Sequence, residues 1–239
     1  MTDTDVPRLS LTGISKAFPG VQALDNVSFQ VVPGEVHALI GENGAGKSTL
    51  LKILSGIYRA SRGEIRIDGA PCDISSPRAA RGFGIALIHQ ELQQVPELDV
   101  AQNMFLGNQH TRLGVFTDKK RMRAEAAAVL KRLDPNIDVA TPIRELRVAQ
   151  RQIVEIAKAL LADARIIAMD EPTSSLTPRE FHKLTAIIET LAAQGVAVIY
   201  VSHKLDEVFR VASRATVLRD GRLVGRADIA HTSGQHRLI

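Results

Sequence analysis

Between residues 8 and 36 apolar and polar side chains alternate, with Val27, Phe29 and Val31 sharing one face, and Pro33-Gly34 supplies a turn before the next run. A period of two is that of a half-buried strand, so the segment predicts antiparallel strands. Residues 36–40 are mostly apolar and stop at Gly41, after which a glycine-rich loop leads into a helix carrying Leu50, Leu51, Ile53 and Leu54. That order is strand, loop, helix. A further strand at 64–67 ends at Asp68-Gly69, a dipeptide suited to a tight hairpin turn.

After a strand-like run at 84–88 the pattern changes to helix and loop and stays so from about residue 89 to residue 163. Met122, Ala126, Val129, Leu130 and Leu133 fall on one helical face before Pro135, and Ile153, Ile156, Ala157, Leu160 and Leu161 fall on another. Both stripes read as core. The strand–helix alternation then resumes with a buried-type strand at 166–169, and Thr177-Pro178-Arg179-Glu180 forms a capping box with proline at the first helical position. The helix it opens presents Phe181, Leu184, Ile188 and Leu191 and stops at Gly195. A strand at 196–201, a short helix and two strands joined at Asp220-Gly221 complete the series.

Strands alternating with helices predict a parallel sheet covered on both faces. The expected fold is α/β: a P-loop NTPase (RecA-like) parallel-sheet core with an N-terminal antiparallel β subdomain and a helical insertion. Residues 1–88 and 164–239 form the core with its β subdomain, and 89–163 the insertion, within one domain.

A chain of 239 residues with 45% hydrophobic side chains can bury a substantial core. The net charge of +4 arises from 30 Lys and Arg scattered among 26 Asp and Glu, which describes a mixed solvated surface and not a nucleic-acid footprint. Two Tyr and no Trp leave little for stacking on single strands. Cys72 is the single cysteine, so neither an intrachain disulfide nor a cysteine metal cluster can form. No run approaches the roughly 18–20 apolar residues of a bilayer span, and the polar start from Met1 to Asp5 lacks the features of a signal peptide. Any membrane role is expected to be peripheral.

Gly41-Glu42-Asn43-Gly44-Ala45-Gly46-Lys47-Ser48 fits the pattern G-x-x-x-x-G-K-[ST], and Thr49 follows it. Glycines let backbone amides turn toward a phosphate, the following helix adds its positive end, and Lys47 supplies a point charge. Ser48 is placed to hold Mg²⁺. Far downstream, Asp170 and Glu171 end an apolar strand, where Asp170 can hold Mg²⁺ through water and Glu171 can polarise an attacking water. His203 follows another strand and so reaches the same sheet edge, while the other six histidines read as surface or packing residues. Gln90 opens the insertion, where its carbonyl could reach Mg²⁺ and report nucleotide state. Phe18, one of seven phenylalanines, could by itself be core.

The phosphate loop, Gln90, the run Leu146-Arg147-Val148-Ala149-Gln150, Asp170-Glu171 and His203, in that order, resemble an ATP-binding-cassette (ABC) ATPase over nearly the whole chain. More narrowly, Lys16-Ala-Phe-Pro-Gly-Val-Gln-Ala-Leu, Ile88-His-Gln-Glu-Leu, Val154-Glu-Ile-Ala-Lys-Ala-Leu and Asp170-Glu-Pro-Thr-Ser-Ser-Leu-Thr are similar to the N-terminal cassette of bacterial monosaccharide importers of the ribose, galactoside and xylose type. The resemblance implies ATP and Mg²⁺ as ligands, Phe18 stacked on adenine, Gln90 in the loop coupling to transmembrane permease subunits, and Glu171 as catalytic base. It also implies a second cassette, fused or separate, with each ATP held between one phosphate loop and the opposite signature segment. A periplasmic sugar-binding protein would be an indirect partner, and nucleic acid none. The implied location is the cytoplasmic face of the bacterial inner membrane.

The chain departs from the family pattern in the signature, usually Leu-Ser-Gly-Gly-Gln. Arg147 replaces the serine and Ala149 the second glycine, so the half-site offered to a partner differs from an intact one. Thr177 stands where an acidic residue is common. Two alternatives remain: a soluble cassette protein acting on ribosomes or DNA, and a single-cassette fragment that binds ATP with little hydrolysis alone.

Overall fold

In the computed structural model, which describes residues 6–112 and 116–229, the period-two runs near the N-terminus become β1 (Leu9–Phe18) and β2 (Val21–Val31). They form a hairpin over Pro19-Gly20. β3 (Val36–Ile40) runs into the glycine-rich loop and α1 (Lys47–Leu54). β4 (Arg62–Ile67) and the short β5 (Ala70–Pro71) follow, then α2 (Pro77–Gly82), capped by the Ser76 hydroxyl, and β6 (Ile85–Ile88).

The stretch read as a helical insertion contains α3 (Val100–Met104), a two-stranded ribbon of β7 (Thr111–Arg112) and β8 (Phe116–Thr117), and α4 (Lys119–Leu133). A single 3-10 turn, Ile143–Glu145, precedes α5 (Val148–Leu161). The ribbon, α2 and α3 are too short to show a period in the sequence. β9 (Ile166–Asp170), α6 (Pro178–Ala193), β10 (Ala197–Val201), α7 (Leu205–Val211), β11 (Arg214–Arg219) and β12 (Arg222–Asp228) complete the order.

Two sheets result. β2-β1-β4-β5 are antiparallel, and the larger sheet has the order β12-β11-β3-β10-β9-β6, with β11, β3, β10, β9 and β6 parallel and β12 an antiparallel edge. The hairpins β4–β5 and β11–β12 turn on Asp68-Gly69 and Asp220-Gly221, each with both residues at positive φ, as a two-residue type I′ turn requires.

Alternation along the central strands explains why they read as continuous apolar runs. On β9, Ile166 and Ala168 face a core shared with β1, β2 and α1, whereas Ile167 and Met169 face the core shared with α3 to α6. That second core is continuous from Met122, Ala126 and Leu130 of α4 through Ile153 and Ile156 of α5 to the sheet. The helical segment is therefore welded to the sheet by one apolar cluster. Beneath the sheet, the buried His37 ring links Glu35 (Nδ1···Oε1 2.8 Å) to Thr216 (Nε2···Oγ1 2.9 Å), and Phe29 stacks on it. This chain joins β3 to β11.

Candidate active site

The loop between β3 and α1 is shaped by two close approaches. A Cβ on Gly46, which sits at φ 102°, would lie 2.7 Å from the Ala23 carbonyl oxygen and 2.7 Å from a Leu24 methyl. A Cβ on Gly41 would lie 2.4 Å from the Leu218 carbonyl oxygen, so only glycine lets the loop pass between β2 and β11. No side chain caps the first turn of α1. The amides of Lys47, Ser48 and Thr49 thus remain available, at the positive end of the helix, to an anion. Lys47, only 6% exposed, curls over the loop and donates from Nζ to the carbonyls of Gly41 (2.6 Å) and Glu42 (2.9 Å).

Three parallel strands bring the acidic residues and the histidine to the same edge. β10 lies between β3 and β9, with Val201 in register with Asp170, so both chains leave the sheet side by side. The Glu171 amide donates to the Val201 carbonyl at 3.0 Å, and Glu171 Oε1 lies 3.0 Å from His203 Nδ1. Residues 32 apart in sequence thus become a bonded pair. Glu171 stands at φ 45°, a left-handed conformation uncommon for a residue with a Cβ. Such a turn aims its carboxylate along the edge toward His203.

Burial first, and then the adjacent Glu171 carboxylate, push the Asp170 carboxyl above its ordinary value, while Lys47, His89 and Lys52 pull the other way. A cation beside Asp170 would offset both of the raising effects. Among the described residues no group of three or more His, Cys, Asp or Glu side chains could hold a metal by itself. One carboxylate plus the Ser48 hydroxyl is a donor set suited to Mg²⁺, which takes most of its ligands from phosphate and water.

Phe18 is half-buried at the tip of the β1–β2 hairpin and outside both cores. Its ring meets Tyr58 edge-on at 5.2 Å, and Lys16 Nζ lies 5.1 Å from its centroid. The same hairpin reaches the phosphate loop through Ala23 and Leu24. Gln90 is exposed just past β6, and four residues on Gln94 exchanges hydrogen bonds with Arg151 of α5. In the run 146–150, Leu146 closes the 3-10 turn, Arg147 is the N-cap of α5, and the Gln150 side chain accepts from the Arg147 amide at 3.1 Å. A guanidinium has no acceptor, so the first-turn amides of α5, including those of Val148 and Ala149, have no side-chain cap.

Sequence reasoning missed Tyr58, His89, Thr173 and Glu207. Tyr58 and Glu207 belong to no period or motif in the sequence, and His89 reads there as a surface or packing residue although it adjoins Gln90. Thr173 carried a signal, since it lies two residues beyond Glu171.

A glycine-rich loop into a bare helix N-terminus, opposite a strand-end carboxylate pair at a doubly covered parallel sheet, defines a nucleotide-binding P-loop protein. The family model described as ABC transporter matches residues 24–174, more than half of the chain, and the chain belongs to that family. The putative ribose/galactose/methyl galactoside import ATP-binding protein 2 of Burkholderia cenocepacia (strain HI2424) is 52% identical over 97% of this chain and 45% of its own length. The ribose import ATP-binding protein RbsA 1 of Rubrobacter xylanophilus is 51% identical over 98% of this chain and 46% of its own. The arabinose import ATP-binding protein AraG of Azospirillum brasilense is 50% identical over 98% and 45%. The chain thus spans slightly under half the length of the curated relatives it matches. Among solved structures, a nucleotide-free ATP-binding cassette from an ABC transporter superposes with a TM-score of 0.84 at 26% identity, covering 93% of this chain and 91% of the other. The ADP conformation of such a cassette gives 0.84 at 26%, covering 94% and 92%. Family membership makes this a nucleotide-binding chain.

Proposed function

We propose that this chain is a cassette that hydrolyses ATP to energise import of a monosaccharide. The observation that carries the chemistry is the Glu171–His203 pair, 3.0 Å apart at the edge reached by the phosphate loop. Phe18 offers a ring to the adenine, the amides from Gly41 to Thr49 and the Lys47 ammonium hold the phosphates, and Asp170 with Ser48 and Gln90 would hold Mg²⁺. When bound, Mg²⁺ neutralises phosphate charge. Glu171 accepts a proton from water as its oxygen bonds to the γ-phosphorus, the bond to the bridging oxygen breaks, and ADP leaves with that electron pair. His203 donates from Nδ1 to the Glu171 carboxylate, which leaves Nε2, an acceptor in that tautomer, for the attacking water. The importer names of the relatives support the substrate class.

The uncapped N-terminus of α5 supports pairing with a second cassette, because its amides can receive an anion. Gln90, exposed between β6 and α3, would join nucleotide state to transmembrane permease subunits on the cytoplasmic side of the inner membrane. Among the described residues no helix is long and apolar enough to cross a membrane. Arg147 brings charge without the small hydroxyl, and Ala149 adds a methyl where backbone must approach. The site using Lys47, Asp170 and Glu171 of this chain is then the hydrolytic one of the pair, and the opposite site a binding clamp.

The test is ATPase of the assembled transporter carrying either Arg147→Ser with Val148→Gly and Ala149→Gly, or Glu171→Gln. Restoration should change turnover little, and Glu171→Gln should remove most of it. Several-fold activation by restoration, with half the activity surviving Glu171→Gln, would refute the asymmetric reading.

A further inference from the structure

The loops that carry Glu171 and His203 are joined a second time, behind the site, by Glu207 of α7. Its Oε2 accepts from three hydroxyls: Thr173 in a short bond, Tyr200 at 3.1 Å and Ser202 at 3.2 Å. Its Oε1 accepts from Lys204 Nζ at 3.0 Å. Thr173, Tyr200 and Ser202 are all buried. Thr173 stands two residues after Glu171, and Ser202 immediately before His203. One carboxylate oxygen therefore ties the chain leaving β9 to the chain leaving β10.

We infer that Glu207 is a positioning residue for hydrolysis, setting the distance between Glu171 and His203 by clamping Thr173 to Ser202. The inference rests on the reading of Glu171 and His203 given above. Three donors crowd one oxygen, and the negative charge of a carboxylate holds them more strongly than a neutral carbonyl or hydroxyl would. Burial alone would raise the Glu207 carboxyl, but the bonds from Thr173, Lys204 and Tyr200 outweigh it and hold the group below its ordinary value. Glu207 is thus ionised at neutral pH, and its charge-assisted bonds are the stronger kind. The clamp acts where the Glu171 backbone is in the left-handed region, a conformation that persists only when its surroundings over-determine it.

The test uses Glu207→Ala, Glu207→Gln and Thr173→Val, each with Glu171→Gln as reference. It reads kcat and KM for ATP in the assembled transporter and the ¹⁵N resonances of the His203 ring in the 239-residue chain. Glu207→Ala should lower kcat roughly 10–100-fold, the scale of a 1 Å misplacement, with KM within about twofold. The His203 ring resonances should move. Glu207→Gln retains an acceptor oxygen and should restore kcat to within several-fold of the parent. Thr173→Val should act in the same direction and combine with Glu207→Ala by less than the product of the two. It also carries the test if Glu207→Ala does not fold. A merely structural role predicts a lower melting temperature with kcat and His203 unmoved, and that result overturns the inference. Should Glu171→Gln turn over at the parental rate, the reading of the site fails. The His203 resonances then decide the clamp alone: shifted they support it, unshifted they sink it.

Discussion

Replacing Glu171 should separate the needs of the reaction from those of the fold. At φ 45° a residue with a Cβ carries roughly 1–2 kcal/mol of backbone strain. Glycine removes that strain but adds about 0.5–1 kcal/mol of unfolded-state entropy. The bond to His203 joins a side chain 18% exposed to one 54% exposed. Such an exposed pair contributes about 0–1 kcal/mol. Glutamine therefore serves as the reference, since it loses the charge but keeps the Cβ and the strain. Relative to Glu171→Gln, Glu171→Gly should be more stable by about 0.5–1 kcal/mol, or roughly 1–4 °C in melting temperature for a chain of this size. Asparagine, which tolerates the left-handed region better than glutamine, should fall between them. Hydrolysis in the assembled transporter should drop about 10²–10⁴-fold in all three, the usual worth of a positioned general base. Differential scanning calorimetry of the 239-residue chain, beside an ATPase assay, reads both arms. A glycine variant no more stable than the glutamine variant would show that Glu171 is unstrained. Parental turnover in Glu171→Gln would remove it from the chemistry.

Lys47→Ala should weaken MgATP binding by about 1.5–3 kcal/mol, the value of a charge-assisted contact, and unchanged affinity by calorimetry would remove the phosphate-loop assignment. Phe18→Ala should cost about 1–3 kcal/mol of ATP affinity if the ring stacks on the base, with inorganic triphosphate bound as before; equal loss of both would indicate a damaged fold instead. Acid stability should depend on Glu35: burial works to raise its carboxyl, but the bonds from His37 and the Val32 amide and the Arg214 charge hold it below the ordinary value of 4.5. A depressed folded value stabilises the fold above 4.5, and that contribution disappears as pH falls through the folded value. Glu35→Gln should therefore be less stable than the parent at neutrality and show a shallower loss of melting temperature on acidification; parallel curves would exclude the linkage.

Most elements were legible because burial on one face or two leaves a period in the chain. The alternation around Val27, Phe29 and Val31, the apolar run before Gly41 and the stripe from Met122 to Leu130 record which side of an element meets water, and the structure has a strand or helix at each. The phosphate loop was legible for a local reason: its glycines and Lys47 act on one another within a few residues, and Thr177 caps Glu180 within one turn. Asp170, Glu171 and His203 could be placed at one edge because strand ends in a parallel sheet share an edge.

What the sequence could not decide was distance between elements. The 3.0 Å contact of Glu171 with His203, the three hydroxyls on Glu207 and the His37 bond to a threonine 179 residues away all depend on the register of β3, β9, β10 and β11. Register is settled by side-chain packing across both cores, in which no single residue carries the information. The same holds for Phe18, whose ring could have been core until the hairpin carried it outside to Tyr58. Local chemistry and solvent contact are written residue by residue and so could be read from the sequence; the placing of one strand end against another is a property of the packed whole.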